Sequence, residues 1–234
     1  MSRSDMSLKE YVIHQTKSTG ILPCIKLHQM DDYLAYAQAM YDGGARVIEV
    51  TMTTPGVLEA IKMISDHFGD KLLVAAGTVL DPTSAREVIM HGSSIIVNPC
   101  VIEDVIDVAN RYNVPVFSGA FTATEVFTAM RKGATMVKIF PGALGGPKYM
   151  TNLKMVFPEV NLIPPAASHP KTQVNSSAAV PALFPVPAPS WTLTKSKRKV
   201  SLPSQDRWKN SFPSSVKQRR IFPTFRNPLT PTFS

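Results

Sequence analysis

Short apolar runs alternate with amphipathic stretches along the first 163 residues of this 234-residue chain. The runs fall at 21–25, 46–51, 72–76, 94–97, 115–118, 136–140 and 160–163. Each is nearly continuous in apolar residues, the pattern of a strand covered on both faces. The stretches between them, at 30–41, 55–68, 82–91, 102–112, 122–132 and 147–157, predict helices, and residues 7–18 predict an opening helix with Leu8, Tyr11, Val12 and Gln15 on one side. Asp31 and Asp32 are cap candidates, Pro55 opens the next helix, and Gly43-Gly44, Gly69, Gly92 and Gly133 are stops.

Strand-helix units joined by short connections require parallel pairing and right-handed crossovers. A doubly wound sheet and a closed barrel both satisfy that rule. A repeat of roughly 20 to 28 residues and Gly-ended helices suit a (β/α) barrel, whose chemistry sits at the C-terminal ends of the strands. Glu49, Thr78, Pro99 and Lys138 fall at such ends.

Composition changes this picture at one point. The net charge of +8 suggests nucleic acid until it is divided along the chain. Residues 1–164 hold 14 Lys+Arg against 16 Asp+Glu, a balance of −2, and residues 165–234 hold 11 against 1, a balance of +10. All 12 glycines precede Pro147, while 11 of the 20 prolines lie from Pro165 onward. Two regions follow, a barrel at 1–165 and a Pro/Ser/Lys/Arg-rich tail at 166–234 whose composition predicts disorder. Cys24 and Cys100 lie in strand-like contexts and read as buried free thiols. The five histidines show no ligand spacing, so no metal is expected. Asp5, Glu10 and the absence of a long apolar run argue against a secretory leader or membrane span, giving a cytoplasmic location as the expectation.

The candidate chemistry centres on Lys138, inside the run Met136-Val137-Lys138-Ile139-Phe140. An ammonium is costly to desolvate there. Either Lys138 pairs with a carboxylate or reaches past the strand end, or burial lowers its pKa and leaves a neutral amine that attacks a carbonyl to form a Schiff base. Glu49, on another strand, points into the same mouth; it is a proton carrier or a structural ion-pair partner of Lys138, and the two readings are compatible.

Four blocks resemble the 2-dehydro-3-deoxy-phosphogluconate (KDPG) and 4-hydroxy-2-oxoglutarate (KHG) aldolases. They are Gly43-Gly44-Ala45-Arg46-Val47-Ile48-Glu49-Val50-Thr51, Ala76-Gly77-Thr78-Val79-Leu80, Asn98-Pro99, and Val137-Lys138-Ile139-Phe140-Pro141 followed by Leu144-Gly145-Gly146-Pro147. The resemblance covers residues 20–164. It implies a (β/α)8 barrel of the TIM type, class I aldol cleavage to pyruvate and an aldehyde, Lys138 as the Schiff-base lysine and Glu49 as the proton shuttle. It implies no metal or organic cofactor, a small keto-acid substrate, a place in carbohydrate metabolism of the Entner-Doudoroff kind, and a homotrimer. Thr78 is then a donor to the pyruvate carboxylate, and Pro99 and Phe140 are apolar walls. For these three, ordinary core or turn roles stand beside direct contact.

Two departures bear on substrate. Where many family members carry an arginine four residues after the glutamate, this chain has Thr53, which supplies no bidentate charge-assisted pair. Where the family has Pro-Thr-Gly-Gly and an eighth unit, this chain reads Pro164-Pro165-Ala166-Ala167-Ser168. The expected fold is therefore a barrel lacking its eighth strand-helix unit, and the change of character looks like a reading-frame shift or alternative terminal exon. Two other functions remain as alternatives, a catalytically impaired relative and a nucleic-acid binder acting through Lys195-Ser196-Lys197-Arg198-Lys199 and Lys217-Gln218-Arg219-Arg220. A solvated basic tail is favoured over a nucleic-acid contact.

Overall fold

In the computed structural model, residues 6–20, 22–25, 33–144 and 146–163 are described. The element order is α1 (Leu8–Thr19), β1 (Cys24–Ile25), α2 (Tyr33–Asp42), β2 (Val47–Thr51), α3 (Val57–Phe68), β3 (Leu73–Gly77), α4 (Pro82–Met90), β4 (Ile95–Val97), α5 (Glu103–Arg111), β5 (Val116–Ala120), α6 (Ala123–Arg131), β6 (Met136–Ile139), α7 (Pro147–Val156) and β7 (Leu162–Ile163). The seven strands form one parallel sheet in sequential order. Sequential order is the barrel's winding, since a doubly wound sheet reverses direction partway. Among the described residues no strand joins β7 to β1, and the sheet is a curled barrel wall without its eighth unit.

The period of two along each strand sorts its side chains. Ile48, Val50, Val74, Ala76, Ile96 and Val116 pack outward against the helices, with Ala60, Ile61, Ile64, Val105, Ile106 and Ala109 among their neighbours. Val47, Leu73, Ala75, Ile95, Val97, Phe117, Met136 and Ile163 fill the inside. Val12 of α1 is fully buried in that inner cluster, beside Leu8 and Tyr11 at its margin. Because Val47 and Leu73 are the first residues of their strands, α1 plugs the N-terminal end of the barrel. The C-terminal end is left for chemistry.

Local signals account for the helix ends. Ser7 with Glu10 and Thr122 with Glu125 form capping boxes on α1 and α6, and Asp81 accepts from the Ser84 amide ahead of Pro82 on α4. Gly20, Gly92 and Gly133 take the left-handed conformation at or just past helix C-termini.

Two expectations are corrected. Helix α3 begins at Val57 rather than Pro55, because Gly56 holds φ +67° as its N-cap and interrupts the helical path between them. Cys100 is exposed, not buried: β4 ends at Val97, and Pro99, which has no amide to donate, carries the chain out of the ladder. Cys24 is half-buried. Ile21, Asp31, Asp32 and the tail from 164 onward lie outside the described residues.

Candidate active site

Glu49 is two residues past inward-facing Val47, and Lys138 two past inward-facing Met136, so both project into the barrel toward its open end. The β2 and β6 walls carry them on either side of the mouth. Glu49 is 5% exposed, and Lys138 is half-buried. Burial pushes the Glu49 carboxyl above the ordinary value of 4.5, and the Lys138 charge partly opposes that rise. The ion-pair reading of Glu49 is not met, because the pairs among the described residues are Lys62 with Asp66 and Lys132 with Glu103 and Asp107. The carboxylate and the amine interact through their fields, without contact.

The remaining expected residues surround these two. The Phe140 ring centroid lies 5.8 Å from Lys138 Nζ, while the residue is 45% exposed and forms the outer lip. Thr78 directly follows β3 with φ +60°, a conformation that a β-branched residue takes only when its surroundings impose it. Pro99 follows β4, half-buried, with its carbonyl lying over the backbone of Gly119. A Cβ at Gly119 would come 2.1 Å from that carbonyl carbon and oxygen, and Gly119 is the register partner of Lys138. The loop carrying Pro99 thus folds across the mouth beside the lysine strand. Thr53 is exposed, and its hydroxyl lies 2.9 Å from Thr51 Oγ1.

Four further residues shape this mouth: Thr51, Gly77 and Asn98, which lie inside the resembling blocks with no role of their own expected, and Thr54, which lies outside them. Thr51 and Thr54, whose hydroxyls lie 3.2 Å apart, are both buried and extend the hydroxyl group around Thr53. Asn98 is fully buried and donates from Nδ2 to the Val79 carbonyl at 2.6 Å, fastening the end of β4 to the residue after Thr78. Its Oδ1 has no partner. Gly77 stands in contact range of the Glu49 carboxyl. An Asn before a Pro and a Gly after an apolar run read as turn residues, which conceals any other role. Among the described residues, no group of three His, Cys, Asp or Glu side chains is arranged to hold a metal ion. No helix there is long and apolar enough to cross a membrane.

The sequence and the fold have counterparts in known proteins. The 2-dehydro-3-deoxy-6-phosphogalactonate aldolase of Escherichia coli K12 is 40% identical over 109 residues, 47% of this chain and 53% of that one. The 2-dehydro-3-deoxy-phosphogluconate aldolase of Dickeya dadantii is 30% identical over 113 residues, 48% of this chain and 53% of its own. The chain therefore spans about half the length of the curated relatives it matches. Among solved structures, one described as native KDPGal superposes with a TM-score of 0.72 at 27% identity, covering 84% of this chain and 96% of the other. The family model for KDPG and KHG aldolase matches residues 12–200, a span that contains every strand described above and continues past Pro164. By that match the chain belongs to the KDPG and KHG aldolase family.

Proposed function

We propose that this chain is a class I aldolase that cleaves a 2-keto-3-deoxy sugar acid to pyruvate and an aldehyde through a Schiff base on Lys138. One observation carries the reading. An amine and a desolvated carboxyl face one mouth from opposite walls, electrically coupled but not locked together as an ion pair. Salt-bridged partners would neutralise each other, whereas separated ones are free to act on a substrate between them.

The chemistry follows from the two groups. The neutral Lys138 amine adds to the C2 ketone, and the carbinolamine loses water to give a protonated imine. Glu49 takes the proton of the C4 hydroxyl; the C3–C4 bond breaks, the aldehyde leaves, and the electron pair moves into the imine as an enamine. Protonation at C3 by the carboxylic acid, followed by hydrolysis, returns pyruvate and the free amine. A carboxyl whose pKa is raised by burial suits this duty, because it takes and gives a proton at closely matched cost. Thr78 and the neighbouring backbone hold the keto-acid carboxylate, and Pro99 and Phe140 limit water at the amine.

The relatives named for 6-phosphogalactonate and phosphogluconate derivatives make those two epimers, with 4-hydroxy-2-oxoglutarate, the substrates to try. The hydroxyls of Thr51, Thr53 and Thr54 stand at the same rim and offer neutral hydrogen bonds to a substrate. Assembly as a homotrimer in the cytoplasm follows from family resemblance and is checked by light scattering. A second reading rests on β1 and β7 having no further partner strand among the described residues: a relative that binds pyruvate without turnover. The test is reduction with borohydride in the presence of pyruvate. Mass added at Lys138, lost in Lys138→Ala, supports the aldolase; label elsewhere, or none in folded protein, refutes it. Capture without cleavage of any of the three substrates selects the second reading.

A further inference from the structure

We propose that Gly77 is a positioning residue for this reaction: the space of its missing side chain is the seat of the Glu49 carboxyl. What Glu49 does rests on the aldolase reading above; where it sits rests on the structure alone. A Cβ at position 77 would lie 2.1 Å from Glu49 Oε1, 2.7 Å from Cδ and 2.8 Å from Cγ. All three distances are shorter than atoms tolerate, and all involve the same side chain.

Glycine has no other evident reason to be there. Gly77 is the last residue of β3, paired in register with Thr51, and is absent from the glycines of positive φ. The backbone at this position is one that any residue adopts, and glycine in a strand weakens it. Five other glycines differ. Gly92 and Gly133 need their left-handed backbone, a Cβ at Gly69 or Gly146 meets nothing, and Gly119 makes room for backbone. At Gly77 the neighbour is the end of a flexible carboxylate, so an added methyl displaces the carboxylate rather than the fold.

The seat also sets direction. The Gly77 carbonyl accepts from the Met52 amide at 2.8 Å, which ties the end of β3 to the segment just after β2. The Glu49 carboxyl is thereby laid on the β3 backbone one residue before Thr78, at 5% exposure. Moving a proton carrier by about 1 Å costs on the order of 100-fold.

The experiment separates proton transfer from imine formation. Deuterium exchange at the pyruvate methyl, followed by NMR, reports proton removal at C3; borohydride capture at Lys138 reports the imine. Gly77→Ala is expected to slow exchange about 100-fold and leave capture within about threefold. Glu49→Ala ends at Cβ and removes the Cγ, Cδ and Oε1 atoms that fill the obstructed space. In that background Gly77→Ala should cost less than about threefold further, since the two changes act on one contact. Unchanged exchange in Gly77→Ala, or the same 100-fold loss in both backgrounds, overturns the proposal. If Gly77→Ala melts lower, Glu49→Ala must restore the melting temperature; a double variant that stays low is also fatal to it. Failure of the unaltered chain to capture pyruvate would defeat the aldolase reading instead, and the melting pair would then decide the seat alone.

Discussion

Glu49→Gln preserves the shape of a side chain that is 5% exposed and removes only its charge. Burial raises the folded-state pKa of Glu49 above 4.5, with Lys138 opposing the rise. Below pH 4.5 the carboxyl carries its proton in folded and unfolded chains alike, so the native state has its full stability from this group. As pH climbs past 4.5 the unfolded chain gives up the proton while the folded chain keeps it, and stability falls until the folded-state pKa is passed. The loss accumulates at about 1.4 kcal/mol for each pH unit of that interval. Glutamine does not titrate and escapes it. Urea unfolding of both proteins at pH 4, 5, 6, 7 and 8 should therefore show the Gln variant gaining on the parent from about pH 4.5 upward and then levelling. Turnover in the same variant should fall by about 10²- to 10⁴-fold, the range for a lost general acid-base. A stability difference flat across pH would mean that the Glu49 pKa is the same in folded and unfolded chains, and a parent that is the more stable at pH 8 would mean that Glu49 is ionised and well paired in the native state. The proton-shuttle assignment would then lose its physical basis.

Five further outcomes are expected. Lys138→Met removes the charge that holds the Glu49 pKa down, so the pH interval over which Glu49→Gln is advantageous should widen in that background, read by the same urea series. Phe117→Ala empties a fully buried site on the inner face, in register with Met136, and should cost about 3–5 kcal/mol by denaturant unfolding. Thr122→Ala deletes the hydroxyl half of the α6 capping box and should cost about 1 kcal/mol. The other half, Glu125, is held below the usual 4.5 by the Thr122 and Phe121 amides, so its contribution is present above pH 4.5 and fades as acid titrates it, seen as a falling melting temperature. Thr78→Gly keeps a left-handed backbone without strain and removes the whole side chain, hydroxyl included; weaker capture of pyruvate, about 10-fold in half-saturating concentration, is the expected loss of one charge-assisted hydrogen bond.

The winding of the barrel was legible because it is written twice, in apolar runs and in the glycines and prolines between them. Each of the seven expected strands is present within a few residues of its expected ends. The errors cluster where backbone conformation decides and residue type does not. Pro55 satisfies every rule for a helix start, yet Gly56 at φ +67° moves that start two residues on. Cys100 follows an apolar run and so looks buried, but the run's last ladder position is Val97. Glu49 and Lys138 stand out in the sequence for a different reason: a charged residue inside an apolar strand is expensive enough to demand an explanation.

What supports that pair was not legible, and the reason is physical. Catalytic side chains are conspicuous because they cost free energy, but the features that aim them are made of absences: no Cβ at Gly77, no Cβ at Gly119 under the Pro99 carbonyl. Glycine in a strand has several ordinary explanations, and a sequence does not say which neighbour fills the space left over. Only distance separates them, and at Gly77 the nearest atom is the carboxylate oxygen on which the proposed proton transfers turn. The same holds for Asn98, which resembles a turn residue until its Nδ2 is found on the Val79 carbonyl, holding the strand end beside the strained Thr78. Rigid placement of two opposed groups therefore falls to side chains that carry no charge, which is why substitutions there should change rates more than they change stability.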